Sequence, residues 1–245
     1  MSIGTYSPIF RMAVGHSESV DAIAQNLANC NTPGYRKLQV SQKLFDTLLN
    51  NAQMPMTQQS GAAFTPLSVN FAQGPVQPTD RPLDFAIHGD GFFVVSKDGQ
   101  DYYTRKGDFS MDRDGNLTTA DGGMVQGGTG SINFPRDTIL AELKVGDDGT
   151  LISGTRILDK LKIVTFQNND QLNRAGSTLF QAPDGVQPED SGAETKVANR
   201  TLEHSNTSVA EEMADLIKTM RNYEACQRMI RNDDEKTGKM IQQMS

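Results

Sequence analysis

Residues 112–116, DRDGN, carry the spacing in this chain that comes nearest to a calcium loop. An EF-hand loop needs Gly at its sixth position and a bidentate Glu at its twelfth. Counted from Asp112, those positions hold Leu117 and Gly123, so the stretch reads as a hairpin turn. The glycine-rich QGGTG at 126–130 opens no Lys-Ser/Thr helix and follows no strand-to-helix pattern, so it does not read as a phosphate loop. His16, His88 and His204 lie far apart, with no HExxH or CxxC pattern among them. No serine sits in a GxSxG elbow, and no acidic residue has the context of a cleft acid that could hydrolyse peptidoglycan. The chemistry expected of this chain is therefore not catalysis, and neither a metal nor a cofactor is expected. Cys30 and Cys226 read as free thiols. If the two ends pair antiparallel, Cys226 falls roughly 25 Å along its helix from the level of Cys30. A disulfide needs Cα atoms within about 7 Å.

The elements that would position functional residues are more informative. Ile3, Tyr6, Phe10, Ala13, Ser17, Val20, Ala24 and Leu27 advance in steps of three and four. Val209, Met213, Leu216, Met220, Tyr223, Gln227 and Ile230 do the same, and after polar Asp234 and Thr237 the rhythm resumes at Ile241 and Met244. That is a heptad spacing, the period of helices that pack on helices. The predicted N-terminal helix ends near Cys30, where NCNTPGY (29–35) gathers Asn, Pro and Gly. Ser208 and Glu211 fit a capping box for the last helix, with Glu211 and Glu212 at its positive end. Met213, Met220, Met229, Met240 and Met244 make this helix methionine-rich. That suits ordinary packing, or a seam fitted to several slightly different neighbours.

Between the ends lies a different code. A short amphipathic stretch with Leu38, Leu44, Phe45, Leu48 and Leu49 leads into a polar connector that runs to Asp80. From 81 to 185, short apolar runs such as FAIHGDGFFVVS alternate with turns, and Asp-Gly occurs six times. Asp-Gly suits hairpins, so an antiparallel barrel or sandwich is expected there. Residues 186–208 return through a polar connector to the final helix. The predicted fold class is α+β, with long N- and C-terminal helices pairing as a coiled coil around a central antiparallel all-β domain. The domain boundaries expected are 1–35, 36–80, 81–185, 186–208 and 209–245.

Composition narrows the partners. The hydrophobic content of 36% is low against the about 45–50% apolar of ordinary domains, so neighbours are expected to complete some apolar surface. A net charge of −7 argues against nucleic acid, and no basic block suggests an anionic membrane. No run approaches the roughly 18 apolar residues of a membrane span. The opening MSIGTYSPIFRMAVGHSES has no Sec signal pattern.

Three separated blocks resemble one family. QNLANCNTPGYRK (25–37) is similar to the N-terminal signature of bacterial flagellar rod and hook proteins. RPLDFAIHGDGFFVV (81–95) and YTRKGDFSMDRDGNL (103–117) resemble the opening of that family's β domain. EHSNTSVAEEMADLIKTMRNYEA (203–225) is similar to its C-terminal motif. Cys30, Asn31 and Thr207 depart from the usual pattern without breaking the helical spacing.

The resemblance implies a structural subunit of the flagellar basal-body rod, stacked helically into a drive shaft that carries torque from motor to hook. Its implied partners are copies of itself and other flagellar rod proteins, hook-side and ring proteins as further candidates, and the flagellar type III export apparatus. Neither nucleic acid nor direct membrane insertion is implied. The implied location is the periplasm-spanning rod, reached without a Sec signal peptide. The expected subunit-interface residues are Ile3, Tyr6, Phe10, Val20, Asn26, Leu27, Asn29, Val209, Met213, Leu216, Met220, Tyr223, Ile230, Ile241 and Met244. The chain is too short for a hook protein with extra outer domains. GGTGSINFP (127–135) and RPLDFAI favour a proximal rod subunit, while EHSNTSVAEEM is close to the distal form. The reading from another class is a soluble β-domain adhesin with coiled-coil ends, which would show a metal-dependent melting shift.

Overall fold

The structure is a computed structural model and describes residues 8–40, 67–192 and 194–244. For residues 8–11, 40, 233, 234 and 236–244 only the backbone is described. Ile3, Tyr6, the amphipathic stretch around Leu44–Leu49 and the connector up to 66 lie outside the described residues, as do the side chains of Phe10, Ile241 and Met244. The chain forms two compact units.

The first unit takes residues 1–28, 38–70 and 208–245. Its helices are α1, Pro8–Ala28, and α2, Val209–Met244. Proline at the first position of α1 suits a place where no backbone donor is needed. Glu211 and Glu212 occupy the first turn of α2, where the helix dipole favours acid. A short antiparallel pair, Leu38–Val40 with Leu67–Val69, completes the described part of the unit.

The expectation of long terminal helices paired as a coiled coil is overturned here. At 1.5 Å per residue the 21 residues of α1 span about 32 Å, whereas the 36 of α2 span about 54 Å. The short helix does pack on the long one, but the covered row is not an apolar seam. On α2 it consists of Glu212, Leu216, Thr219, Tyr223, Cys226 and Ile230, all buried or half-buried. On α1 the fully buried positions are Ala13, Ala22, Ile23 and Asn26. A coiled coil needs apolar knobs at every a and d position of both helices. Here small and polar side chains hold half of them.

The second unit takes residues 29–37 and 71–207 and is antiparallel throughout its described strands. Phe92–Lys97 is its spine, flanked by Gln100–Thr104 on one side and by Met124–Val125 and Ile163–Thr165 on the other. Leu143–Val145, Thr150–Ser153 and Arg156–Lys160 form a three-stranded sheet. Two strand pairs bring the end of the chain back to the start of the domain. Lys196–Asn199 pairs with Phe85–His88, and Thr201–Glu203 pairs with Val76–Pro78. Phe85, Ile87, Phe93, Val95, Phe109, Leu117, Val125 and Phe134 are core residues.

All six Asp-Gly glycines have positive φ. At Asp98-Gly99 both residues do, φ 53° and 77°, and they join Phe92–Lys97 directly to Gln100–Thr104. That is the mirror-image two-residue turn whose twist matches a hairpin. The DRDGN segment is also a turn. The Asp112 carboxylate accepts from the backbone nitrogens of Asp114 and Asn116 at 2.9 and 2.8 Å and from Asn116 Nδ2 at 2.8 Å.

Candidate functional site

The N-terminal signature block divides between the two units, and each part closes a polar knot. In the helical unit Asn26, 1% exposed, lies in the last turn of α1. Its Nδ2 donates to the Leu38 carbonyl at 2.8 Å and to Glu212 Oε2 at 3.0 Å, and its Oδ1 accepts from the Leu38 nitrogen at 2.8 Å. One amide therefore ties the end of α1, the start of the Leu38–Val40 strand and the first turn of α2. Because the end of α1 meets the beginning of α2, the two helices run antiparallel. Sequence reasoning named Asn26 as an interface residue; the structure places it inside its own unit.

In the β unit the NTPGYRK loop turns on itself, with the Thr32 nitrogen donating to the Asn29 carbonyl at 3.0 Å. Gly34 has φ 69°, and its nitrogen donates to the Glu203 carbonyl at 2.8 Å. A Cβ there would lie 2.3 Å from the Lys106 nitrogen, so only glycine permits the loop to approach the strand so closely. Tyr35 and Arg36 follow, each with no exposed surface.

Arg36 Nη2 lies 2.7 Å from Glu203 Oε1, an ion pair whose alignment falls outside a hydrogen bond. Glu203 Oε2 is 3.4 Å from Arg105 Nη1, and Glu203 Oε1 also accepts from the Gly74 nitrogen at 2.8 Å. Arg105 donates to the Gly89 carbonyl at 2.7 Å and lies over the Phe92 ring at 5.5 Å. Burial pulls the Arg105 guanidinium down to about 10, opposed by Glu203, so it stays a cation at neutral pH. Arg174 covers the Tyr35 and Phe180 rings and donates to the Arg36 carbonyl. Asn206 accepts from the Lys37 nitrogen at 2.8 Å and donates to the Ala72 carbonyl at 2.9 Å. Two arginines, from near the start and the middle of the chain, thus share one carboxylate from near its end.

This cluster is a clasp, with its charged groups engaged on one another and on backbone. His16, His88 and His204 stay on separate elements, and among the described residues no group of three His, Cys, Asp or Glu side chains could hold a metal. Both cysteines are free, Cys226 buried and Cys30 half-buried.

The remaining residues expected at a subunit interface sort by exposure. Val20, Leu27, Asn29, Leu216, Tyr223 and Ile230 are half-buried. Val209, Met213 and Met220 are exposed by 42, 54 and 49%. With Ile217 they form an exposed apolar stripe beside the covered row of α2, with no described residue burying it. Sequence reasoning missed Arg36, Arg105, Glu203 and Glu212. Glu212 was named only as an acid at the start of the helix, and hydrophobic periodicity does not weigh charged residues such as Arg36, Arg105 and Glu203.

Residues 86–153 match the family model described as the flagellar hook protein FlgE/F/G D1 domain. Residues 198–243, which contain Glu203, Asn206 and the α2 stripe, match that of the flagellar basal body rod FlgEFG protein C-terminal. The flagellar basal-body rod protein FlgG of Borreliella burgdorferi is 31% identical over 90% of this chain and 91% of its own length. The chain belongs to the flagellar basal-body rod protein family. FlgG of Bacillus subtilis is 31% identical over 88% of this chain and 89% of its own. FlgF of Caulobacter vibrioides is 29% identical over 92% and 91%. Family members are structural proteins of the flagellar basal body, and the role of this chain is that of a rod subunit. The Arg36 half of the clasp falls outside both matched segments.

Proposed function

We propose that this rod subunit assembles helically with copies of itself and with other rod proteins through the uncovered stripe of α2, Val209, Met213, Ile217 and Met220. The observation that carries this is the row of exposed apolar residues along one face of α2, in a family of rod subunits. A contact between unlike surfaces that does not close on itself generates an open filament, the form a torque-carrying shaft requires. The polar clasps keep each unit's closure separate from this contact. The proposed interface also takes in half-buried Leu27, Leu216, Tyr223 and Ile230, together with Ile3, Tyr6, Phe10, Ile241 and Met244.

The finer reading is a proximal rod subunit, supported by RPLDFAI and GGTGSINFP; EHSNTSVAEEM supports the distal position. Export by the flagellar type III apparatus to a periplasm-spanning rod, without a Sec signal, belongs to the same reading. No described helix is long and apolar enough to cross a membrane.

The test is a double variant, Met213→Glu with Met220→Glu. Its circular dichroism and melting should match the unsubstituted chain, because both side chains face solvent, while its incorporation into basal bodies should fail. Normal incorporation would sink the proposal. Imaging basal bodies that carry the tagged chain assigns the rod position.

A further inference from the structure

The exposed stripe has a chemical property that its apolar character alone does not require. Two of its four residues are methionine, and they sit seven apart, so two turns of helix bring them onto one line. A thioether packs like an aliphatic side chain until it is oxidised, when it becomes a polar sulfoxide that disrupts methionine-rich contacts. Exposures of 54 and 49% leave both side chains open to small oxidants before assembly.

We infer that Met213 and Met220 are an oxidative modification site that switches the subunit between assembly-competent and assembly-incompetent states. This rests on the stripe being the assembly face. The reactant is a hydroperoxide. The methionine sulfur takes the terminal peroxide oxygen, an S–O bond forms as the O–O bond breaks, and the released hydroxide or alkoxide takes the proton of the transferred oxygen and leaves as water or an alcohol. Sulfur is oxidised by two electrons and the peroxide is reduced by two. The product places two polar groups along the line where a neighbour's apolar surface would seat. Only unassembled chains are susceptible, because packing would cover the sulfurs.

The full-length chain is treated with hydrogen peroxide, peptide-mapped by mass spectrometry, and added to basal bodies isolated from cells that lack it. Met213 and Met220 should each gain one oxygen, and binding should fall about tenfold, the factor equivalent to 1.4 kcal/mol. Reduction of both sulfoxide epimers should restore binding, and a Met213→Leu/Met220→Leu chain should bind equally before and after the same peroxide, whatever its own affinity. Oxidation also reaches exposed Met12, Met111, Met124 and Met229, and the leucine chain separates their effect. Absence of oxygen uptake at the two sites, full binding by the oxidised chain, or equal loss in the oxidised leucine chain would each overturn the inference. The Met213→Glu/Met220→Glu chain separates the two readings. If it binds normally, the assembly face is wrong. If it fails to bind while the sulfoxide chain succeeds, only the redox switch is wrong. Untreated chain that does not bind overturns both.

Discussion

Glu203 answers to two arginines at once, with Arg36 on one oxygen and Arg105 on the other, and all three are nearly or wholly buried. Removing one partner of such a cluster leaves a charge inside the protein without compensation, which costs about 3–5 kcal/mol. Glu203→Gln should therefore lower the stability of the β unit by that amount in urea unfolding, whereas Lys196→Gln, at an exposed pair, should shift it by less than about 1 kcal/mol. Asp112 is a residue-scale case with a pH signature. Its hydrogen bonds from Asn116 hold its carboxyl below the usual range, and Asp148 is lowered in the same way by Thr150. Both folded values are depressed, so their contribution is present above the unfolded value near 3.8 and is lost as pH falls through the folded ones. Amide exchange at Asn116 and Thr150 should be slow at pH 5 and accelerate, relative to the intrinsic rate, as pH falls through the depressed folded values. Unchanged protection at the lower pH would contradict this.

At the scale of elements, α2 has two rows roughly a quarter-turn apart, one covered and of mixed polarity, the other exposed and apolar. Reading the helix by apolar residues alone selects Val209, Met213, Leu216, Met220, Tyr223 and Ile230 and merges the two. The covered row instead passes through Glu212 and Thr219, one residue before Met213 and Met220 of that reading, and through Cys226. The slip arises because the helix contact is fixed by the Asn26–Glu212 bond, and a buried polar pair is invisible to a hydrophobic period. Leu216→Asp puts a charge into the covered row, and α1 amides should lose protection by about 1–3 kcal/mol in hydrogen exchange. The hairpin Asp98-Gly99 was legible at once, since few pairs other than Asp-Gly or Asn-Gly tolerate two positive φ values in succession. Gly99→Ala should lower stability by about 1 kcal/mol with no other contact changed, because nothing lies within 4 Å of the added methyl.

The whole molecule assigns its segments in an order different from that of the chain. Asn29–Lys37 belongs with the β unit although it directly follows α1, and Leu38 returns to the helical unit. A chain beginning at Asn29 should retain the β unit's unfolding midpoint. One beginning at Phe71 loses Tyr35 and Arg36 and should unfold at a denaturant concentration lower by the equivalent of several kcal/mol, of order 3 or more. Equal midpoints for the two chains would show that the clasp is dispensable.

By itself the sequence determined the turn chemistry, the antiparallel middle, the existence and approximate ends of two terminal helices, and the family. These rest on local backbone preference, on period, and on short blocks of particular residues, all of which act within a few positions of one another. The tertiary structure decided which face of each helix is covered, that α1 is too short to sheath α2, and that Arg36, Arg105 and Glu203 converge. The physical reason is charge compensation and hydrogen bonding across separations of up to 186 residues. A buried carboxylate takes whatever cation the fold delivers to it, and nothing in the spacing along the chain records which one that will be.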